Sequence, residues 1–257
     1  MNDSLTRFSN RVENYLKYRP RYPQEVIETL RTECGLLPAS VVADVGSGTG
    51  MLTELFLCNG NLVFAVEPNR EMREAAERLL AGYAGFRSVD GTAEATGLPT
   101  GSVDFMTAGQ AFHWFDREKA KRESQRVLRS DGWVVLVWND RLTDSTPFLA
   151  AYEQLLRRHA TDYEAVNHRK IDKDVVAAFF APHDFGFRHF PNRQVFDFQG
   201  LKGRLESSSY VPAPGQPGNE AMRIDLEDLF QIHQSNDTVT IEYLTLMYFG
   251  RLRPASR

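Results

Sequence analysis

The stretch Val41-Val42-Ala43-Asp44-Val45-Gly46-Ser47-Gly48-Thr49-Gly50 decides the fold. Val41, Val42 and Val45 are β-branched and suit a strand buried on both faces. Gly46, Gly48 and Gly50 then remove Cβ atoms where the backbone must bend sharply and approach a ligand. Met51, Leu52, Leu55 and Phe56 recur at helical spacing immediately afterwards. Strand, glycine turn and helix in that order bring the N–H groups of a helix N-terminus to the turn, an arrangement suited to a nucleotide ligand.

Glycine spacing separates two ligand classes. The dinucleotide fingerprint G-x-G-x-x-G, counted from Gly46, needs its third glycine where Met51 stands, whereas this chain reads G-x-G-x-G. An NAD-linked oxidoreductase is therefore disfavoured. Downstream, Leu62-Val63-Phe64-Ala65-Val66 forms a second apolar run ending at Glu67. Glu67 follows Asp44 at about the 20-residue distance from which an acid reaches ribose hydroxyls, and an ionised carboxylate accepts from two such donors. The alternative for Glu67 is a solvated acid opening the next helix.

The alternation continues. Met72, Ala75, Ala76, Leu79, Leu80 and Tyr83 stripe a helix, Phe86 to Val89 reads as a short strand, and Val103 to Ala108 as a fourth. Asp116 is an N-cap candidate for a charged, solvent-facing helix, and Trp133 to Trp138 is a fifth strand. In a parallel sheet the loops after these strands share one crevice, so Asp90 to Pro99 and Gln110 to Asp116 should border the same pocket as Gly46 and Glu67. Beyond Asn139 the pattern becomes irregular: a helix through Phe148 to Leu156, a short helix near Val175 to Phe179, strand-like residues from Arg188 to Phe198, a helix from Gly218 to Gln234, and an alternating final strand from Thr238 to Phe249.

The chain has 257 residues, 42% hydrophobic and 25% charged, with a net charge of −4. This suits one α/β domain with a cap and offers no global attraction for nucleic acid. Residues 1–22 read as an N-terminal lid, 23–139 as the cofactor-binding core, and 140–257 as cap insertion and C-terminal strands. The N-terminal residues lack a signal-peptide core and no run is long enough to span a membrane, which predicts a cytoplasmic protein. Cys34 and Cys58 are too few for a disulfide framework or thiolate metal site and read as buried free thiols. The six histidines, His159, His168 and His183 among them, show no paired ligand spacing, so no metal is expected.

Asp44 to Gly50 resembles motif I of the class I S-adenosylmethionine (SAM)-dependent methyltransferases. Tyr15 to Pro23, Val66-Glu67-Pro68-Asn69, Gly91-Thr92-Ala93-Glu94 and Gln110-Ala111-Phe112-His113-Trp114-Phe115-Asp116 are similar to the small-molecule branch related to trans-aconitate and ubiquinone/menaquinone methyltransferases. The resemblance spans nearly the whole chain and implies a Rossmann-like seven-stranded, mostly parallel sheet with helices on both faces, an antiparallel strand in its last hairpin and an inserted helical cap. It implies SAM as cofactor and S-adenosylhomocysteine as product. Gly46, Ser47 and Gly48 would lie against the methionine part, with Asp44 orienting the turn and the amino group. Glu67 would hold the ribose, Pro68, Thr92, Ala93 and Glu94 would border the adenine, and Ala108 or Gln110 would approach the amino end.

Tyr15 and Arg19 would reach the carboxylate from the lid, Arg offering a planar fork of donors; a surface arginine in a mobile arm is the alternative. The acceptor would be a small molecule, with His113, Trp114 and Tyr210 on its side and His113 the candidate catalytic base, or else a structural histidine packed with Trp114. Ser207 to Pro212 falls where related enzymes place acceptor-side residues. A monomer or homodimer without nucleic-acid or membrane-inserted partners is expected. The competing reading from another class is a regulatory protein that binds SAM without catalysis.

Overall fold

The computed structural model describes residues 17–160, 163, 173–208 and 210–253. Chain order begins α1 (Glu25–Cys34), β1 (Val41–Val45), α2 (Met51–Cys58), β2 (Leu62–Val66), α3 (Arg70–Leu80), β3 (Phe86–Val89) and β4 (Val103–Gly109). A 3₁₀ turn at Phe112–Trp114 precedes α4 (Arg117–Val127) and β5 (Leu128–Arg141). The remainder comprises α5 (Pro147–His159), α6 (Lys173–Phe180), β6 (Phe185–Phe196), α7 (Phe198–Glu206), α8 (Asn219–His233) and β7 (Val239–Gly250).

The strands form one seven-stranded sheet in the order β3-β2-β1-β4-β5-β7-β6. The pairs β1/β2, β1/β4, β2/β3 and β4/β5 are parallel, whereas β7 runs antiparallel to both β5 and β6. The expected Rossmann-like sheet with an antiparallel strand in its last hairpin is therefore present. The order reverses between β1 and β4, the place where an open α/β sheet leaves a crevice at the carboxyl ends of its strands.

Local chemistry accounts for the element boundaries. Gly35 ends α1 with φ +70, the left-handed conformation a helix C-cap favours. Asn69 caps α3 by accepting the Met72 N–H at 3.0 Å, and Asp116 caps α4 through the Lys119 N–H at 3.2 Å, as expected. One sheet face is covered by α1, α2 and the end of α3, with Val26, Ile27, Leu30, Phe56 and Leu80 among the buried residues. On the other face lie α4 and α6, bringing Ala120, Val127, Val176, Phe179 and Phe180 onto Ala43, Met106 and Leu136.

A third core stands apart: Leu149, Tyr152 and Leu156 of α5, Leu201 and Leu205 of α7 and Met222 and Leu226 of α8 pack with Phe196, Val239, Ile241 and Tyr243. Thus the paired ends of β6 and β7 at Phe196 and Val239, which α7 and α8 connect, form the floor of the cap. Three sequence expectations change here. The strand expected to reach Phe198 stops at Phe196, because Asp197 accepts the Gly200 N–H at 2.7 Å and caps α7, a helix the periodicity did not reveal. The fifth strand extends to Leu128–Arg141, since β7 pairs with it as far as Arg141. Cys34 is only half-buried and Cys58 is exposed, its sulfur 3.4 Å from the Tyr83 hydroxyl, so Cys58 is not a buried thiol. Among the described residues no helix is long and apolar enough to cross a membrane.

Candidate active site

The three glycines of the turn perform different tasks. A Cβ on Gly46 would sit 2.6 Å from Ala111 Cβ, so Gly46 serves close packing against the β4 loop, whereas Gly50 serves its left-handed φ of +88, the Leu80 Cδ1 beside it being the end of a flexible side chain. Gly48 has φ +57 and nothing within 4 Å of its missing Cβ. Its vacant side faces open space, the condition for a ligand to approach the backbone.

The acid at the end of β2 holds this turn. Glu67 Oε2 accepts the Gly48 N–H at 2.8 Å and Oε1 accepts the Asn69 N–H at 2.9 Å, while the Val66 carbonyl accepts the N–H groups of Gly46 and Ser47 at 2.9 and 3.2 Å. Burial raises the Glu67 pKa, opposed by those two backbone donors and Arg73. A carboxylate oxygen carries two acceptor sites, so each retains one for a further donor. Ser47 Oγ and Thr49 Oγ1 are buried polar atoms with no hydrogen-bond partner among the described residues. Buried hydroxyls without partners beside an open glycine fit a ligand rich in polar groups.

Asp44 lies beneath the turn. Fully buried, its carboxylate accepts from Thr53 Oγ1 at 2.6 Å and Thr107 Oγ1 at 3.1 Å, which ties β1 to α2 and β4. Burial pushes its pKa up to about 6 against the pull of both hydroxyls. Thr53 and Thr107 were not singled out from the sequence; their only signal was a polar residue inside an otherwise apolar helix or strand.

The loops after β3 and β4 form the rim. Pro68 and Thr92 are exposed and Ala93 is buried. Glu94 Oε1 accepts the Asp116 N–H at 2.8 Å, so its carboxylate braces the start of α4. The Ala108 side chain belongs to the core, leaving its backbone as the part that can approach a ligand. Gln110 has φ +56, uncommon for a residue with a side chain, and its Oε1 accepts the Asn139 N–H at 2.6 Å. His113 contacts two indoles, tilted against Trp114 at 4.6 Å and edge-on to Trp138 at 5.1 Å by ring centroids.

The described part of the N-terminal segment is strapped over this end of the sheet. Asn139 Nδ2 donates to the Pro20 carbonyl at 3.2 Å, Asn192 Nδ2 to the Arg21 carbonyl at 2.7 Å and Gln194 Nε2 to the Tyr18 carbonyl at 3.2 Å. A Cβ on Gly109 would meet the Tyr22 hydroxyl at 2.6 Å, and one on Gly203 would lie 2.0 Å from the Tyr18 ring. Arg19 Nη2 donates to the Ser207 carbonyl at 3.1 Å, which places its head at α7. Tyr15 and Ser209 lie outside the described residues, as does His168.

Beyond the strap the cap holds a polar cluster that sequence reasoning missed apart from Tyr210. Arg141 Nη2 donates to Glu153 Oε2 at 2.5 Å and to the Tyr163 hydroxyl at 2.9 Å. Arg204 Nε donates to the Tyr243 hydroxyl at 3.1 Å, and Tyr243 donates to Gln194 Oε1 at 2.9 Å. Tyr210 packs its ring 5.2 Å from Tyr163. Burial raises the Tyr210 pKa, but Arg204, Arg19, a Ser208 hydrogen bond and Arg141 outweigh it and leave the phenol below its ordinary range.

A family model described as a methyltransferase domain matches residues 43–136, the segment from β1 through the first part of β5. An uncharacterized methyltransferase-like protein of Schizosaccharomyces pombe is 27% identical over 98% of this chain and 97% of its own length. An uncharacterized methyltransferase of Geobacillus thermodenitrificans is 30% identical over 62% of this chain and 74% of its own. Among solved structures, a protein of Anaeromyxobacter dehalogenans assigned as a type II methyltransferase superimposes with a TM-score of 0.67 at 23% identity, covering 92% of this chain and 99% of that one. With a 3-2-1-4-5-7-6 sheet and a glycine turn clasped by the β2 acid, the chain belongs to the class I SAM-dependent methyltransferases.

Proposed function

We propose that this protein transfers the sulfonium methyl of SAM to a nucleophilic atom of a small-molecule acceptor held between the β4 loop and the cap. The observation that carries the cofactor half is Gly48, open on its side-chain face, beside the partnerless hydroxyls of Ser47 and Thr49 and the Glu67 carboxylate. Glu67 accepts from the ribose hydroxyls with the lone pairs its backbone donors leave, and Pro68 with Thr92, Ala93 and Glu94 borders the adenine. The backbone at Ala108 and Gln110 approaches the amino end of the methionine. Asp44 acts from below by holding Thr53 and Thr107, and so the height of the turn.

SAM supplies an activated methyl on a cationic sulfur, so the protein's work is alignment and exclusion of water. The strap through Tyr18 and Tyr22 covers the site, and Gln110, pinned to Asn139, holds the β4 loop at its edge. His113 and Trp114 line the acceptor side, with His113 positioned to take a proton where the acceptor must lose one. Tyr210 faces the same region from the cap. The mixed aromatic and polar character of these groups suits a small molecule.

Calorimetry with SAM or S-adenosylhomocysteine tests the assignment. Micromolar binding is expected, on the order of −8 kcal/mol, and Glu67→Ala should lose about 1–3 kcal/mol because ribose donors forfeit a charged acceptor. Tight NADH binding without any response to the two sulfur ligands would overturn it.

A further inference from the structure

Arg204 is the buried charge in the cap for which methyl transfer as described has no use. It is 5% exposed and sits on α7. Its Nε donates to the Tyr243 hydroxyl at 3.1 Å and its Nη1 to Ser208 Oγ at 3.2 Å. Both acceptors are neutral, and among the described residues no carboxylate pairs with it. A guanidinium stays protonated in proteins and presents five N–H donors. Enclosing one without a counter-ion is strongly unfavourable, and an anionic ligand would remove that penalty.

Arg141 strengthens the case. Its side chain is 11% exposed, and its carboxylate partner, Glu153, also receives Arg157 Nε at 3.1 Å. Around Tyr210, the Arg204, Arg19 and Arg141 guanidiniums and a Ser208 hydrogen bond together hold the phenol pKa down despite burial that raises it. Tyr210 touches Tyr163, and Tyr163 receives Arg141, so these groups border one region next to the strap.

We propose that Arg204 and Arg141 form an anion subsite in the acceptor pocket, and that the methyl acceptor carries a carboxylate or phosphate group seated there. The inference rests on the placement of the acceptor beneath the cap. An anchored anion fixes one end of the molecule and presents its nucleophile to the methyl, which converts binding into alignment. Arg204 is then a specificity-determining residue, set apart from the cofactor groups at Gly48 and Glu67.

The test is calorimetry on the full chain saturated with S-adenosylhomocysteine, at ionic strength held constant with sodium chloride. Octanoate and hexyl phosphate are titrated as anions, octanamide as their uncharged counterpart and inorganic phosphate as the bare group. At least one of octanoate and hexyl phosphate should bind tenfold or more tighter than octanamide, and the preferred one identifies the group. Arg204→Gln should abolish that preference while leaving S-adenosylhomocysteine affinity within about twofold. Should Arg204→Gln fail to fold, Arg141→Gln should weaken the preferred anion severalfold, and the wild-type preference for charge over amide decides by itself. Equal binding of anions and amide by the wild type, or a preference that survives in folded Arg204→Gln, overturns the subsite. If S-adenosylhomocysteine itself does not bind, the proposed methyl transfer falls, and the same titrations on the ligand-free protein still decide the anion subsite.

Discussion

Asp44 and Glu67 show how two acids in one site are divided by environment. The Glu67 oxygens accept the backbone N–H groups of Gly48 and Asn69 at the turn itself, whereas the Asp44 oxygens accept the Thr53 and Thr107 hydroxyls beneath it under full burial. With its folded pKa near 6 and an unfolded value near 3.8, Asp44 binds its proton more tightly in the folded state. A raised acid pKa makes stability fall as pH rises through that window, because the unfolded chain ionises first. Asp44→Asn removes this ionisation. The stability of Asp44→Asn relative to wild type should therefore shift in the variant's favour by about 2–3 kcal/mol between pH 4 and pH 6.5. Urea denaturation at both pH values reads it, and a difference that does not change with pH would show that Asp44 titrates normally. The sequence displays an aspartate inside a strand that reads as buried on both faces, but nothing of the Thr53 and Thr107 hydroxyls that surround it.

At the scale of elements, α7 couples the cap to the strap. Tyr18 lies flat on Gly203, its backbone carbonyl takes Gln194, and Arg19 reaches the Ser207 carbonyl at the end of the same helix. Gly203→Ala places a Cβ inside the Tyr18 ring, and helix propensity by itself would favour the substitution by about 1 kcal/mol. The contact should win over the propensity because the Tyr18 ring packs against the cap core beside Phe196, and moving it away forfeits that packing. The expected result is faster amide exchange at residues 17–22 with α2 and β1 unchanged, measured by hydrogen exchange with mass spectrometry. Unaltered exchange at 17–22 would mean that the strap is held by its asparagine and glutamine contacts alone. The helix escaped sequence detection because Gly200 and Gly203 interrupt it and its polar buried face, ending in Arg204, blurs the apolar stripe.

Across the whole molecule, two cores flank the sheet and a third fills the cap. A ligand bridging the turn, the β4 loop and the strap stabilises all of them together, since it binds the folded state alone. At 100 times its dissociation constant, S-adenosylhomocysteine should add about 2.7 kcal/mol, or about 5–10 °C in Tm for a chain of this size. Differential scanning calorimetry checks this, and a second, unshifted transition would reveal a cap that unfolds independently of the cofactor site.

The sequence by itself determined the parallel half of the sheet, the glycine turn, the acid after β2 and the family. These are local: β-branched runs, glycine spacing and caps act within a few residues and leave a periodic signal. Tertiary structure alone decided that Gly46 packs against Ala111 while Gly48 stays open. It also placed Arg19 at Ser207 and gathered Arg141 of β5, Arg204 of α7 and Tyr243 of β7 into one polar cluster. Arg19 and Ser207 lie 188 residues apart in the chain, and the members of the polar cluster are brought together by the antiparallel register of β5 with β7 and β6 with β7. Such contacts leave no periodicity, because the charge at one position has meaning only once folding sets another element beside it.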